Sequence, residues 1–231
     1  METLAIIPAR GGSKRIPGKN MKPFHGHPMI YWTIKAAKEA GIKKIVVTSD
    51  SEQILSFAKE NGAEIIKRPE ELSGDEVATQ PVLEHAIKEM ERRGYHHDVI
   101  VLLQPTSPLR NGEDIKGALS IFTKGRYDSL LAVHVNDSFL WTTDGKSINY
   151  DFRNRPRSQE KKWEYVENGS IYVSRKDILM KEHNWLFGKI GFFVMPKIRS
   201  FEIDTPEDFV IAEKLFGADK EVEVKRRIRQ N

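Results

Sequence analysis

The chain has no cysteine among its 231 residues, which excludes a disulfide framework, a thiolate metal site and a cysteine nucleophile. Long apolar runs are missing too: no window approaches the roughly 18 residues of a membrane span, and the start lacks a basic segment followed by an apolar stretch. Those absences predict a soluble, cytoplasmic chain with no signal peptide. Histidine is sparse and scattered, with His25/His27 and His96/His97 as short-range pairs at turns rather than metal-ligand spacings. No internal repeat, low-complexity stretch, zinc-finger spacing or RNA-binding aromatic signature is present. Two familiar phosphate loops are absent as well. A Walker loop needs four residues between its glycine and Gly-Lys and then Ser or Thr, whereas five separate Gly12 from Gly18 and Asn20 follows Lys19. There is also no G-x-G-x-x-G dinucleotide fingerprint.

Charge of one sign is not in large excess. The net charge is +4 and the pI near 9.1, with 37 bases against 33 acids, and the one basic cluster is the tail Lys225-Arg226-Arg227-Ile228-Arg229. A solvated helix face explains that cluster, so nucleic acid is not the expected partner. Apolar residues make up 39% of the chain, with 11 Phe, 6 Tyr and 4 Trp, enough to bury one sizeable core.

What is present begins with an apolar run, Leu4-Ala5-Ile6-Ile7-Pro8-Ala9, that empties into Arg10-Gly11-Gly12-Ser13-Lys14-Arg15-Ile16-Pro17-Gly18-Lys19-Asn20. This reads as a strand feeding a phosphate loop. Glycines let backbone amides approach an anion closely, and Arg10, Lys14, Arg15 and Lys19 supply the countercharge. A solvated basic turn joining two elements is the plainer reading of that segment taken alone.

Strand-length apolar runs then alternate with amphipathic helix-length segments, the pattern of a mostly parallel sheet covered on both faces. Helices are expected over Pro28 to Ala40, Glu52 to Glu60 capped by Ser51, Thr79 or Gln80 to about Arg93, Glu113 to Phe122, and Thr205 to Phe216. Strands are expected over Lys44 to Thr48, Ala63 to Ile66, Val99 to Leu103, Ser129 to Val135, Gly169 to Val173, Phe192 to Met195 and Phe201 to Ile203. The fold class is therefore α/β, doubly wound and mostly parallel. The stretch 136–168 breaks the alternation. It is polar yet carries Phe139, Trp141, Tyr150, Phe152, Trp163 and Tyr165, so the expectation is one domain over 1–231 with an inserted β-rich lobe, 136–168, and a basic tail, 217–231. Aromatics on a protruding lobe are commonly covered by a second subunit.

In an open α/β sheet, ligands bind beyond the carboxyl ends of the strands. There the first strand delivers the basic glycine loop, and the Val99 to Leu103 strand delivers Gln104, Thr106, Ser107 and Arg110. The Phe201 to Ile203 segment delivers Glu202 and Asp204. Two carboxylates at i and i+2 of a strand share a face and suit magnesium, although Asp204-Thr205-Pro206-Glu207 also reads simply as a helix cap.

Five segments carry a family resemblance. Ile7-Pro8-Ala9-Arg10-Gly11-Gly12-Ser13-Lys14 with Gly18-Lys19-Asn20, Arg68-Pro69 with Leu72 and Asp75, Leu103-Gln104-Pro105-Thr106-Ser107-Pro108-Leu109-Arg110, Asn168-Gly169-Ser170-Ile171-Tyr172 and Ile203-Asp204-Thr205-Pro206-Glu207-Asp208 occur in the family's order. With these the chain resembles the CMP-sialic acid synthetases, cytidylyltransferases that activate nonulosonic acids. The resemblance implies a nucleotidyltransferase, Rossmann-like fold, a lobe that dimerises, and transfer of CMP from CTP to a nine-carbon α-keto acid sugar with Mg2+ or Mn2+.

By the same resemblance, Ala9, Arg10, Gly11, Gly12, Ser13, Lys14, Lys19 and Asn20 form the triphosphate loop, and Arg68 and Thr79 contact the nucleotide around its cytosine. Gln104, Thr106, Ser107 and Tyr172 fall at the acceptor sugar, with Arg157 and Gln159 standing for the family's Arg-Gln pair but with one residue intervening. Asp204 matches the metal-binding aspartate, and Glu202 replaces a second aspartate with one methylene more. Arg10, Lys19 and Asp204 are the catalytic candidates. The alternatives are a cytidylyltransferase for the eight-carbon sugar Kdo, whose start also reads Ile-Pro-Ala-Arg, and a non-catalytic module binding nucleotides or polyanions.

Overall fold

The computed structural model describes residues 1–74, 76–157, 160 and 164–218. Strand β1 is Thr3–Pro8. After it, a two-residue antiparallel hairpin, β2 Pro23–Phe24 with β3 His27–Pro28, leads into helix α1, Met29–Glu39. Strand β4 (Lys44–Ser49), helix α2 (Glu52–Glu60), strand β5 (Glu64–Lys67) and helix α3 (Thr79–Arg92) follow. Strand β6 is Val99–Leu103, helix α4 Gly112–Gly125, strand β7 Ser129–Asn136 and strand β8 Glu164–Arg175. Helix α5 (Lys176–Glu182), strand β9 (Ile190–Val194) and helix α6 (Pro206–Leu215) complete the order.

One seven-stranded sheet has the order β5-β4-β1-β6-β8-β7-β9. Its pairs are parallel except where β8 runs antiparallel to both β6 and β7. The doubly wound, mostly parallel fold is therefore the observed one. Alternation in β1 shows why the sheet is covered on both faces. Ala5 and Ile7 enter a core with α1, α2 and α4, whereas Leu4 and Ile6 enter a second core with α3 and α5. A third, smaller core joins Ile16, Phe24 and Met29 to Ile203, Phe209 and Ala212, so α6 lies on the hairpin. Among the described residues, no helix is long and apolar enough to cross a membrane.

Local signals place most boundaries. The Ser51 hydroxyl accepts from the Ile54 amide at 3.5 Å to start α2, and Thr205 forms a reciprocal capping box with Asp208, with Pro206 in the first turn of α6. Pro28 precedes α1 as its cap rather than opening its first turn.

Two expectations fail. The segment Phe201 to Ile203 is not a strand: its period-2 apolar pattern is used to pack Phe201 and Ile203 into the third core, and the Ile203 amide bonds the Thr106 carbonyl at 2.8 Å. Among its described residues, the inserted stretch is also not β-rich in its own right. Between β7 and β8 its described residues hold an isolated bridge, Trp141 with Ser147, and a single 3-10 turn, Phe152–Asn154. The aromatics there pack against each other at tilted angles instead, Phe139 with Tyr150 at 4.5 Å and Trp141 with Phe152 at 5.5 Å between ring centres. The strand that follows begins earlier than expected, at Glu164, because Tyr165 to Glu167 continue the ladder with β7 across an irregularity opposite Leu131 to Val133. The basic tail beyond residue 218 lies outside the described residues.

Candidate active site

β1 sits where the sheet order reverses, with β4 on one side and β6 on the other, so a crevice opens beyond their carboxyl ends. The cleft there has a volume of about 300 Å³, and its walls include Arg10, Ser13, Lys19, Arg68, Thr79 and Gln104. Gly12, Asn20 and Thr106 also face it.

The basic glycine loop after β1 is held by its ends and its middle. The Ala9 amide donates to the Thr48 carbonyl at 3.0 Å, and the buried Asn20 side chain donates to the Arg10 carbonyl at 2.9 Å. Gly11 donates its amide to Asp50 Oδ1 at 2.8 Å. A side chain at Gly11 would meet Ser51 Cβ at 2.9 Å, so the loop lies flush on the turn after β4. Gly18 takes a left-handed φ of 63° to start the 3-10 turn Lys19–Met21. Lys14 is exposed and does not line the cleft.

Arg68 is 7% exposed and reaches the Thr48 carbonyl through Nη2 at 2.9 Å. Burial holds its pKa below the usual arginine range; Asp50 opposes that shift and Arg10 adds to it. Thr79 is the first residue of α3, whose N-terminus has no side-chain cap, so the positive end of the helix dipole borders the cleft.

At the far side of the loop, Lys19 Nζ donates to the Ile203 carbonyl at 2.8 Å and to Asp204 Oδ1 at 3.1 Å. Arg15 stands 3.9 Å from the other Asp204 oxygen. The Thr106 hydroxyl donates to Glu202 Oε1 at 2.8 Å. Burial raises the Glu202 pKa, the Thr106 hydrogen bond opposes that shift, and Asp204 pushes the same way as burial. Gly169, at φ 63°, leaves room for this carboxylate: a Cβ there would lie 2.8 Å from both of its oxygens. Among the described residues no group of three or more His, Cys, Asp or Glu side chains forms a metal cage. Glu202 and Asp204 are not on one strand and are not among the cleft's wall residues. Asp204 is nevertheless near enough to raise the Glu202 pKa, and magnesium takes one or two carboxylates and completes its shell with water and phosphate oxygens.

The acceptor candidates divide. Gln104 and Thr106 line the cleft. Tyr172 is 4% exposed and donates its hydroxyl to Glu167; burial, then that hydrogen bond, raises its pKa. Ser107 is fully buried, with its hydroxyl unpartnered, and does not reach the cleft. Arg110 is turned inward as well, donating to the Ser170 carbonyl at 2.7 Å and to Thr33 Oγ1 at 2.8 Å. Arg157 is exposed and faces Glu160 at 3.8 Å, apart from the cleft walls, and Gln159 lies outside the described residues. Asp50 and Glu167 were missed because neither stands in a glycine-rich or basic motif. The Thr48-Ser49-Asp50 strand end was the available signal.

The profile of the family described as Cytidylyltransferase matches residues 4–230, nearly the whole chain. The chain belongs to the cytidylyltransferase family. It is 30% identical to the pseudaminic acid cytidylyltransferase of Campylobacter jejuni, covering 96% of this chain and 99% of that protein. It is also 32% identical to the N-acylneuraminate cytidylyltransferase of Streptococcus agalactiae serotype V over 91% of this chain, but spans only 52% of that relative's length. The solved CMP:2-keto-3-deoxy-manno-octonic acid synthetase complexed with CTP superposes with a TM-score of 0.67 at 17% identity. That pair covers 95% of this chain and 100% of the other, and the likeness is one of fold.

Proposed function

We propose that this cytidylyltransferase-family chain transfers CMP from CTP to the anomeric hydroxyl of a nonulosonic acid. The hydroxyl oxygen bonds to the α-phosphorus and gives up its proton to solvent, the bond from that phosphorus to the bridging oxygen breaks, and pyrophosphate leaves. The observation that carries the reading is the convergence on one cleft of Arg10, Lys19, Arg68 and the glycine-loop amides with Gln104 and Thr106. Cations and amides suit the triphosphate, and neutral hydrogen-bonding side chains suit a polyhydroxylated acceptor. The 30% identity with the pseudaminic acid enzyme over nearly both full chains favours a nine-carbon acceptor.

In this reading Lys19 and Arg10 neutralise charge on the transferred and leaving phosphates, while Arg68 and Thr79 seat the nucleotide. Asp204, with Glu202 beside it, would hold magnesium or manganese. Such an ion, when bound, adds charge neutralisation at the phosphates. Tyr172, kept protonated by burial and by Glu167, orients the acceptor side of the cleft.

The test is pyrophosphate release with CTP and magnesium against N-acetylneuraminic, legionaminic and pseudaminic acids and Kdo, with ATP, GTP and UTP as controls. Release with CTP and a nine-carbon acid is the expected result. Release with Kdo alone would replace the acceptor, and CTP binding without release for any acid would leave a binding module.

The reading extends to a homodimer built on the inserted stretch. Trp141, Phe152 and Ile148 are 47%, 50% and 58% exposed there, and Phe192 and Val194 are 48% and 43% exposed on the edge strand β9. Apolar side chains gathered in that way are commonly covered by a partner. Light scattering is expected to give twice the 26.5 kDa chain mass, and Trp141→Lys with Phe152→Glu is expected to give the monomer. A monomeric parent would sink the dimer.

A further inference from the structure

Asp50 stands at the point where three parts of the nucleotide cleft meet, and no role has been given to it above. The end of β4 organises them. Thr48 accepts from the Ala9 amide at 3.0 Å and from Arg68 Nη2 at 2.9 Å, Ser49 accepts from the Arg68 amide at 2.8 Å, and Asp50 accepts from the Gly11 amide at 2.8 Å. The first three contacts are accepted by main-chain carbonyls of β4 and do not depend on its side chains. The fourth depends on the Asp50 side chain.

That side chain also acts on Arg68, one of the cations that share the cleft. Asp50 raises the pKa of Arg68 while Arg10 lowers it, so Asp50 attracts a guanidinium that Arg10 repels. Cations placed together for a triphosphate repel each other before it arrives, and a nearby carboxylate offsets the repulsion. Gly11 lies close on the same turn, where an added Cβ would meet Ser51 Cβ at 2.9 Å.

We infer that Asp50 is the positioning residue of the triphosphate loop. Its carboxylate fixes the Gly11 peptide, and with it the direction of the Gly12 and Ser13 amides that follow, without itself being displaced by phosphate. The opposite arrangement, a placeholder that a phosphate oxygen evicts from the Gly11 amide, makes the contrary prediction for the same variants. This inference rests on the nucleotide reading of the cleft.

CTP binding by calorimetry and steady-state kinetics decide between them, with Asp50→Ala and Asp50→Asn compared. Asp50 is exposed, so both variants are expected to fold, which a thermal melt verifies. If Asp50 positions the loop, Asp50→Ala weakens CTP binding about tenfold, as loss of a charge-assisted hydrogen bond does. Asp50→Asn, which keeps an oxygen for the Gly11 amide, stays within about threefold of the parent. The loss appears in KM for CTP and leaves KM for the acceptor acid unmoved, a split that general destabilisation does not produce. Unchanged or tighter CTP binding by Asp50→Ala overturns the inference and leaves the nucleotide reading standing. Failure of the parent chain to bind CTP overturns both.

Discussion

Lys19→Ala is expected to lower kcat for CMP transfer by about 10²- to 10³-fold, the usual effect of removing a preorganised charge from developing phosphate charge. Its stability in urea is expected to fall by no more than about 2 kcal/mol. The reason lies in its partners. Lys19 Nζ bonds the Ile203 carbonyl and Asp204; the Lys19 side chain is 13% exposed and the Asp204 carboxylate about half exposed. Water reaches Asp204 and offsets part of the loss, which leaves the cost of about one hydrogen bond. Nothing replaces the ammonium next to a triphosphate. Single-turnover kinetics with saturating CTP and urea titration give the two numbers. Turnover within threefold of the parent would remove Lys19 from the catalytic set.

Arg110→Met is expected to do the reverse, costing about 2 to 4 kcal/mol of folding stability, the range for removing the charged donor of several buried hydrogen bonds. Arg110 is 3% exposed, and burial pushes its pKa down to about 10, still charged near neutral pH. Its guanidinium ties together three elements: the Ser170 carbonyl in β8, the Gln104 carbonyl after β6 and the Thr33 hydroxyl in α1. Methionine fills much of the volume but takes the charged donor away from all three acceptors, two of which belong to buried residues, Thr33 and Ser170. Urea unfolding of the variant is the measurement, and a loss below 1 kcal/mol would show that the site relaxes or admits water. Gln104 lies in the cleft wall, so a folded Arg110→Met chain is also expected to show a raised KM for the acceptor.

The two substitutions mark the division between what was legible and what was not. Arg110 and Lys19 each follow a strand and each stand in a motif shared with the family, and nothing in their spacing distinguishes a cation that faces a ligand from one that clamps the frame. Ser107 illustrates the same point, since its neighbour Thr106 reaches Glu202 while Ser107 is fully buried. Alternate side chains in a tight Pro-rich loop point in directions that only the surrounding packing selects. The Phe201 to Ile203 segment fails for a related reason. A period-2 apolar pattern demands two buried side chains, and a loop wedged under α6 buries them as well as a strand does.

By itself the sequence determined the layered α/β architecture, most element boundaries and the basic glycine loop after the first strand. Each of these depends on local physics: apolar period, caps such as Ser51 and Thr205, and glycines among cations. The tertiary structure alone decided which side chains meet. It brought Lys19 to Asp204 across 185 positions of chain, set Asp50 on Gly11, left Arg157 apart from the cleft walls and turned Arg110 into the core. Such pairings follow from strand order and helix packing between residues far apart in the chain, and no local propensity encodes them.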